Sequence, residues 1–242
     1  MEKYGLFIIL AFVCEVIGTI SGFGSSILFV PIASMYFDFK TVLGITAVFH
    51  VFSNLSKIAL FREGINKTIA IKLGLPAIVF VIIGALLTEY ISTQQMELFM
   101  NIALIGLSFF LLINFNNKLK QTDTNLYLGG TISGFLAGII GTGGAIRGVT
   151  LSAFHLPKNI FIATSAIIDL GVDSSRAMVY ISNGYFDKEN LFLIPFLICV
   201  SILGSYVGKL ILRKTSEKAF RYIVLLLIIL TSVIQSVKYF TN

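Results

Sequence analysis

A glycine-rich break interrupts an apolar segment at Gly141-Thr142-Gly143-Gly144-Ala145-Ile146-Arg147. A helix in lipid must pair every backbone group internally, so such a break is tolerated only where protein covers it or where it lines a cavity. The arginine closing it needs a partner or water, which makes it a functional candidate on energetic grounds. The break also has a twin. Gly22-Phe23-Gly24-Ser25-Ser26 falls on Gly141 to Ala145 at a displacement of 119 residues, and the same displacement lays Thr46 on Ser165, His50 on Asp169, Asn54 on Asp173, Lys57 on Arg176 and Pro76 on Pro195. One residue more aligns Gly84 with Gly204 and Glu97 with Glu217. So many polar and helix-breaking residues in one register mark a tandem duplication.

Composition identifies the solvent. Of 242 residues 56% are hydrophobic and 12% charged, with a mean hydropathy of +0.92, which excludes an ordinary soluble domain and fits an all-α polytopic membrane protein. The net charge of +6 does not point to nucleic acid, because the basic residues occupy short loops between apolar runs, as membrane orientation requires. Cys14 and Cys199 both lie in apolar runs and suggest neither a disulfide framework nor a metal site. The first apolar segment lacks a small-x-small cleavage site and has a counterpart in the second half, so it is read as part of the fold rather than as a secretory signal.

The spacing predicts a first repeat over residues 1–117, with a broken hairpin at 4–37 and spans at 42–61, 69–91 and 96–114. A second repeat over 118–242 has its broken hairpin at 126–155 and spans at 159–181, 190–212 and 217–237. The runs 5–20 with 26–37, and 126–140 with 145–155, are each too short for a full crossing of about 20 residues. They are read as re-entrant hairpins or as pairs of thin, tilted spans. The loop after 42–61 carries Arg62, Lys67 and Lys72, while its counterpart has Lys188 flanked by acids. The loop between 69–91 and 96–114 has no basic residue, while its counterpart carries Lys209, Arg213, Lys214 and Lys218. Equivalent loops of opposite bias predict inverted-topology repeats with these basic loops in the cytoplasm.

The candidate site follows from the breaks. The second leg of each hairpin begins at the glycines, and the first N–H groups of a helix have no intrahelical acceptor. They carry about half a positive charge and suit an oxyanion. Gly24, Ser25 and Ser26 form one donor cluster and Gly143, Gly144 and Ala145 the other, with Gly22 and Gly141 opening the two breaks as further site residues and Arg147 in the first turn beyond. The next helix in each half adds a polar face at spacing i, i+4, i+8 and i+11, which is Thr46, His50, Asn54 and Lys57 in the first half and Ser165, Asp169, Asp173 and Arg176 in the second. Such a face turns inward from lipid. Lys57 and Arg176 offer charge for a bound dianion or for the neighbouring carboxylates. Asp169 and Asp173, one turn apart, oppose each other's ionisation and with His50 resemble a proton relay. The alternative is a charge network in which Asp173 pairs with Arg176 and Asp169 with Arg147. Glu15 and Glu89 rank lower, and His155 is read as a membrane boundary. The isolated glycines Gly129, Gly130 and Gly134 are read as helix-packing residues.

The two copies, Ser21-Gly22-Phe23-Gly24-Ser25-Ser26 running to Val30-Pro31 and Ser133-Gly134-Phe135 running to Gly141-Thr142-Gly143-Gly144, resemble the twin glycine-rich signatures of the TauE/SafE sulfite exporter family over nearly the whole chain. The resemblance implies a transporter of the bacterial inner membrane that moves sulfite, sulfoacetate or related sulfur oxyanions and organosulfonates outward. The second copy departs from the pattern, with Ala145-Ile146-Arg147 where small and aliphatic residues are usual and no proline matching Pro31. No catalytic set, phosphate loop or metal cluster assembles in the sequence, so no enzyme activity and no cofactor are expected. The expected partners are a small anion, the bilayer and a second copy of the chain, with no nucleic acid. A passive anion channel and a cation or metal transporter using His50, Asp169 and Asp173 are the rival readings.

Overall fold

The computed structural model describes residues 2–113, 120–186, 188–212 and 214. The expected span at 217–237 lies outside the described residues. Among those described the chain is all helical: α1 (Glu2–Ser21), α2 (Ser26–Ala33), α3 (Phe39–Leu60), α4 (Lys67–Leu87), α5 (Thr93–Ile113), α6 (Asp123–Ile140), α7 (Gly144–Ser152), α8 (Lys158–Ser182) and α9 (Leu193–Leu212). The starts are set by side-chain caps. Asp38 accepts from the backbone N–H of Lys40 and Thr41, Asn66 from Ile69, and Thr122 from Asn125, each satisfying donors that the first turn leaves open. The breaks are set by glycine, since Gly22, Gly24 and Gly141 have φ of +68°, +82° and +75°, a region that other L-residues rarely enter.

Four described helices are long and apolar enough to cross a membrane: Tyr4–Ser21, Phe39–Leu60, Lys67–Tyr90 and Leu193–Leu212. The first of these corrects the sequence reading of the hairpins. The apolar run at 5–20 understates α1, because the helix begins at Glu2 and carries on through Thr19 and Ser21, whose hydroxyls find acceptors within it. Its 20 residues reach about 30 Å, a full hydrocarbon thickness. The second legs are shorter than expected. With 8 residues in α2 and 9 in α7 they extend only about 12–14 Å, so each hairpin pairs a long leg with a short one.

The exterior is apolar, and within the apolar core lies a buried polar and charged cluster. Ile71, Leu75, Val79, Ile83 and Leu86 of α4 and Leu6, Ile9 and Val13 of α1 face outward, while Glu15, Lys57, Arg147, Asp173 and Arg176 are buried. A bilayer favours that arrangement and water does not.

Helix packing has a two-fold pattern. α1 lies on α9 and α4 on α6; α3 crosses α8; α3 touches α9 and α4 touches α8; α2 meets α7. Exchanging α1 to α4 with α6 to α9 maps these pairings onto themselves. Along α6, Gly130, Gly134 and Gly138 face the carbonyl oxygens of Leu73, Ala77 and Val81 so closely that a Cβ would overlap them, the close backbone approach typical of small-residue membrane interfaces. Both sequences ascend together, so α4 and α6 run parallel. Gly204 against Glu15 and Gly208 against Thr19 make α1 and α9 parallel as well. α3 and α8 run antiparallel, because Asn159 donates to Glu63 and the Asn66 N–H to Thr164, which places the start of α8 beside the end of α3. Arg62, Lys72, Lys158 and Lys209 therefore share one end of the bundle. There Lys72 pairs with Asp123 at 2.5 Å and Lys209 donates to the carbonyl of Leu60 at the same distance.

Candidate functional site

The two glycine breaks meet inside the bundle. Ser26 Oγ lies 3.2 Å from Thr142 Oγ1, and Gly144 and Gly148 leave just enough room for the carbonyl and ring of Phe23. The N-termini of α2 and α7, beginning at Ser26 and Gly144, consequently face one small cavity with about 320 Å³ of atom-free space, counting its mouth. Thirteen of the sixteen residues singled out from sequence line it. They are Gly24, Ser25 and Ser26 from the first break, Gly141, Gly143, Gly144 and Arg147 from the second, His50, Asn54 and Lys57 from α3, and Asp169, Asp173 and Arg176 from α8, joined by Ala137 and Val172.

The other three stand back from it. Gly22 turns the chain at the end of α1, where Phe161 leaves no space for a Cβ. Ser165 donates to Asp169 Oδ2 at 3.3 Å. Thr46 is fully buried and its hydroxyl has no hydrogen-bond partner. Glu89, in the 3-10 helical turn Thr88–Tyr90, and His155, in the turn after α7, are exposed and line no part of the cavity.

α3 and α8 are joined across the cavity through equivalent positions. Asn54 Nδ2 donates to Asp173 Oδ2 at 2.7 Å, and the two residues are 119 apart, the displacement of the repeat. Asp173 also takes Arg176 Nε at 2.8 Å and Nη2 at 2.7 Å. Arg176 Nη1 donates to the carbonyls of Gly141 at 2.8 Å and Ala137 at 3.4 Å, where the last carbonyls of α6 lack helical partners and carry partial negative charge. Nη2 also faces His50 Nδ1 at 3.4 Å. These contacts engage every nitrogen of the guanidinium, so Arg176 staples the second break to α8. Tyr180 supports it by donating to the carbonyl of Gly138 at 2.6 Å.

Arg147 differs. Its Nη2 pairs with Asp169 Oδ1, but its Nε, buried in a side chain only 4% exposed, has no hydrogen-bond partner among the described residues. An orphaned buried cationic donor is costly unless a ligand takes it up. Lys57 pairs with Glu15 at 2.9 Å and donates to Ser53 at 2.7 Å. The cavity wall thus carries three cations, Lys57, Arg147 and Arg176, against two carboxylates, Asp169 and Asp173. Each aspartate is held by an arginine, and the two ring nitrogens of His50 face Ser25 and Arg176. This donor set offers an arriving metal cation no open carboxylate and a repulsive lining.

Several residues of this network carry no mark in the sequence. Glu15, ranked low there, is fully buried and accepts from Thr19, Ser25, Ser53 and Ser205. Ser53, Tyr180 and Ser205 are not singled out there, and Thr142 enters only as part of the glycine break. Ser53 does sit one turn before Lys57 on the polar face of α3, a signal that was available.

The family model described as sulfite exporter TauE/SafE matches residues 7–234. A probable membrane transporter protein of Methanocaldococcus jannaschii is 28% identical over 239 residues, covering 89% of each chain. No solved structure matches the chain.

Proposed function

The chain belongs to the TauE/SafE sulfite exporter family, and we propose that it carries small sulfur oxyanions or organosulfonates, such as sulfite or sulfoacetate, out across the bacterial inner membrane. That it is a membrane transporter follows from the family and from its apolar helices; substrate, direction and mechanism are our reading. The observation that carries it is Arg147, a buried cation that lines a cavity onto which two helix N-termini converge and whose Nε has no partner among the described residues. Donors of that kind suit the oxygens of a small, charged, pyramidal or tetrahedral group.

The multi-pass chain works by alternating access between two inverted repeats, with the cavity at their junction. The antiparallel course of α3 and α8 and the gathering of basic residues at one end of the bundle support this reading. A carrier fits better than a channel because the cavity is small and closed in by the interlocked tips Phe23, Ser26 and Thr142.

The test is counterflow in proteoliposomes. Sulfite or ethanesulfonate loaded on one side is expected to accelerate uptake of the same labelled anion from the other. Absence of flux with folded protein would sink the anion reading, and flux without trans-stimulation would sink the carrier in favour of a channel.

A further inference from the structure

Behind the cavity lies Glu15 of α1, 0% exposed, to which the transport reading assigns no task. Five donors converge on it: the hydroxyls of Thr19 at 3.2 Å, Ser25 at 2.7 Å, Ser53 at 2.7 Å and Ser205 at 2.8 Å, and Lys57 Nζ at 2.9 Å. They arrive from α1, the N-cap of α2, α3 and α9, and in this arrangement all of them donate, with the carboxylate as acceptor. Its two oxygens are used unevenly. Oε1 takes Thr19, Ser53, Ser205 and Lys57, while Oε2 takes Ser25.

Ser25 also lines the cavity and so links Glu15 to its contents. Because the Ser25 hydrogen goes to Glu15, the contact of 2.9 Å between Ser25 Oγ and His50 Nε2 must have the histidine as donor. Nδ1 is then the bare nitrogen, as the Arg176 N–H facing it requires. The bonding pattern thereby assigns each proton along Arg176, His50, Ser25 and Glu15.

We propose that Glu15 is a proton-coupling site, and that an anion entering the cavity loads one proton onto it through Ser25. The inference rests on the anion-site reading above. The first reason is charge balance. Around the cavity the three cations Lys57, Arg147 and Arg176 are matched by Asp169, Asp173 and Glu15, so a monoanion leaves a water-poor region with unbalanced negative charge, which is unfavourable unless neutralised. The second reason is which carboxylate can give way. Asp173 is fixed by Arg176, and Arg147, whose buried Nε has no partner among the described residues, can turn a donor to the anion while keeping Asp169. Lys57, whose ammonium holds Glu15, is itself one of the residues lining the cavity. As it turns to the anion, Glu15 loses its cation.

With the anion seated and its charge offsetting the cationic lining, a hydronium entering beside it gives a proton to Ser25 Oγ while the hydrogen of Ser25 passes to Glu15 Oε2, leaving water and a neutral Glu15. Ser25 now accepts from Glu15 and turns a hydrogen into the cavity, adding a donor for the anion. Each ligand favours the other by the same factor. Proton and anion travel together, so transport of a monoanion is electroneutral.

Calorimetric titration of the detergent-purified chain with ethanesulfonate, in buffers of different ionisation enthalpy, reads the protons taken up per anion bound. The wild type is expected to take up about one, and Glu15→Gln none while still binding. Identical heats in all buffers for the wild type, or undiminished uptake in Glu15→Gln, overturn the proposal. Should the variant fail to fold, infrared difference spectra of the wild type decide: a protonated-carboxyl stretch must appear on adding ethanesulfonate, and its absence overturns the proposal. Absence of any binding heat in the wild type overturns the anion-site reading itself, and this inference with it.

Discussion

Arg147 is paired with Asp169, so removing it tests two things at once, and a double substitution separates them. In Arg147→Met the Asp169 carboxylate keeps one hydrogen bond, from Ser165 at 3.3 Å, and loses its cation in a nearly closed interior. Breaking a buried pair in this way costs about 3–5 kcal/mol, so the variant is expected to melt well below the wild type. Adding Asp169→Asn removes the orphaned charge and leaves the Ser165 contact possible; stability should return to within about 1 kcal/mol of the wild type. Anion binding should not return. A guanidinium donating to an oxyanion is worth about 1.5–3 kcal/mol, which converts to a loss of roughly 10- to 150-fold in affinity. Thermal unfolding and calorimetric titration with ethanesulfonate read the two quantities on the same preparation, and proteoliposome flux follows. If the double variant binds within about twofold of the wild type and transports normally, Arg147 is a structural partner of Asp169 and the anion site has been misplaced.

Two other substitutions test the frame that holds the site. Gly134→Ala is expected to lower the unfolding temperature by an amount equivalent to about 1–3 kcal/mol, because its methyl meets the carbonyl of Ala77 and pushes α6 off α4; Gly106→Ala on α5, where an added Cβ meets no atom of another element among the described residues within 4 Å, serves as the neutral control. Arg176→Lys keeps the charge but loses the forked contacts to Asp173 and Gly141, and thermal unfolding should show a loss of about 3 kcal/mol or more. An unchanged melt would refute its role as the staple of the second break.

The broken hairpins and the faces of α3 and α8 were legible because each signal occurs twice. Periodicity and glycine placement located α3 at 42–61 against the observed Phe39–Leu60 and α8 at 159–181 against Lys158–Ser182. Leg length was misjudged where polar residues inside a helix are satisfied by its own turns, as at Thr19 and Ser21 of α1, since hydropathy registers such residues as the end of a run. The Glu15 network stayed hidden for a related reason. At the displacement of 119, Glu15 falls on Gly134, Ser53 on Val172 and Ser205 on Leu86, so a comparison of the two halves passes over them.

The difference between the halves is itself organised. In the first, a carboxylate on the hairpin, Glu15 of α1, pairs with a cation on the following long helix, Lys57 of α3. In the second, a cation on the hairpin, Arg147 of α7, pairs with a carboxylate on the following long helix, Asp169 of α8. Each half ties its hairpin to its long helix by one buried ion pair, with the signs exchanged. An anion between them acts differently on the two ties. On the proposed reading it would draw Lys57 away from Glu15 and so loosen α3 from the first hairpin, while Arg147 would bind it from the second hairpin with the pair to Asp169 intact. One ligand would then bias the two hairpins unequally, the differential interaction that a change between two states requires. The sign reversal, invisible to a search for identical residues, is what would let the two halves respond asymmetrically to a single charge.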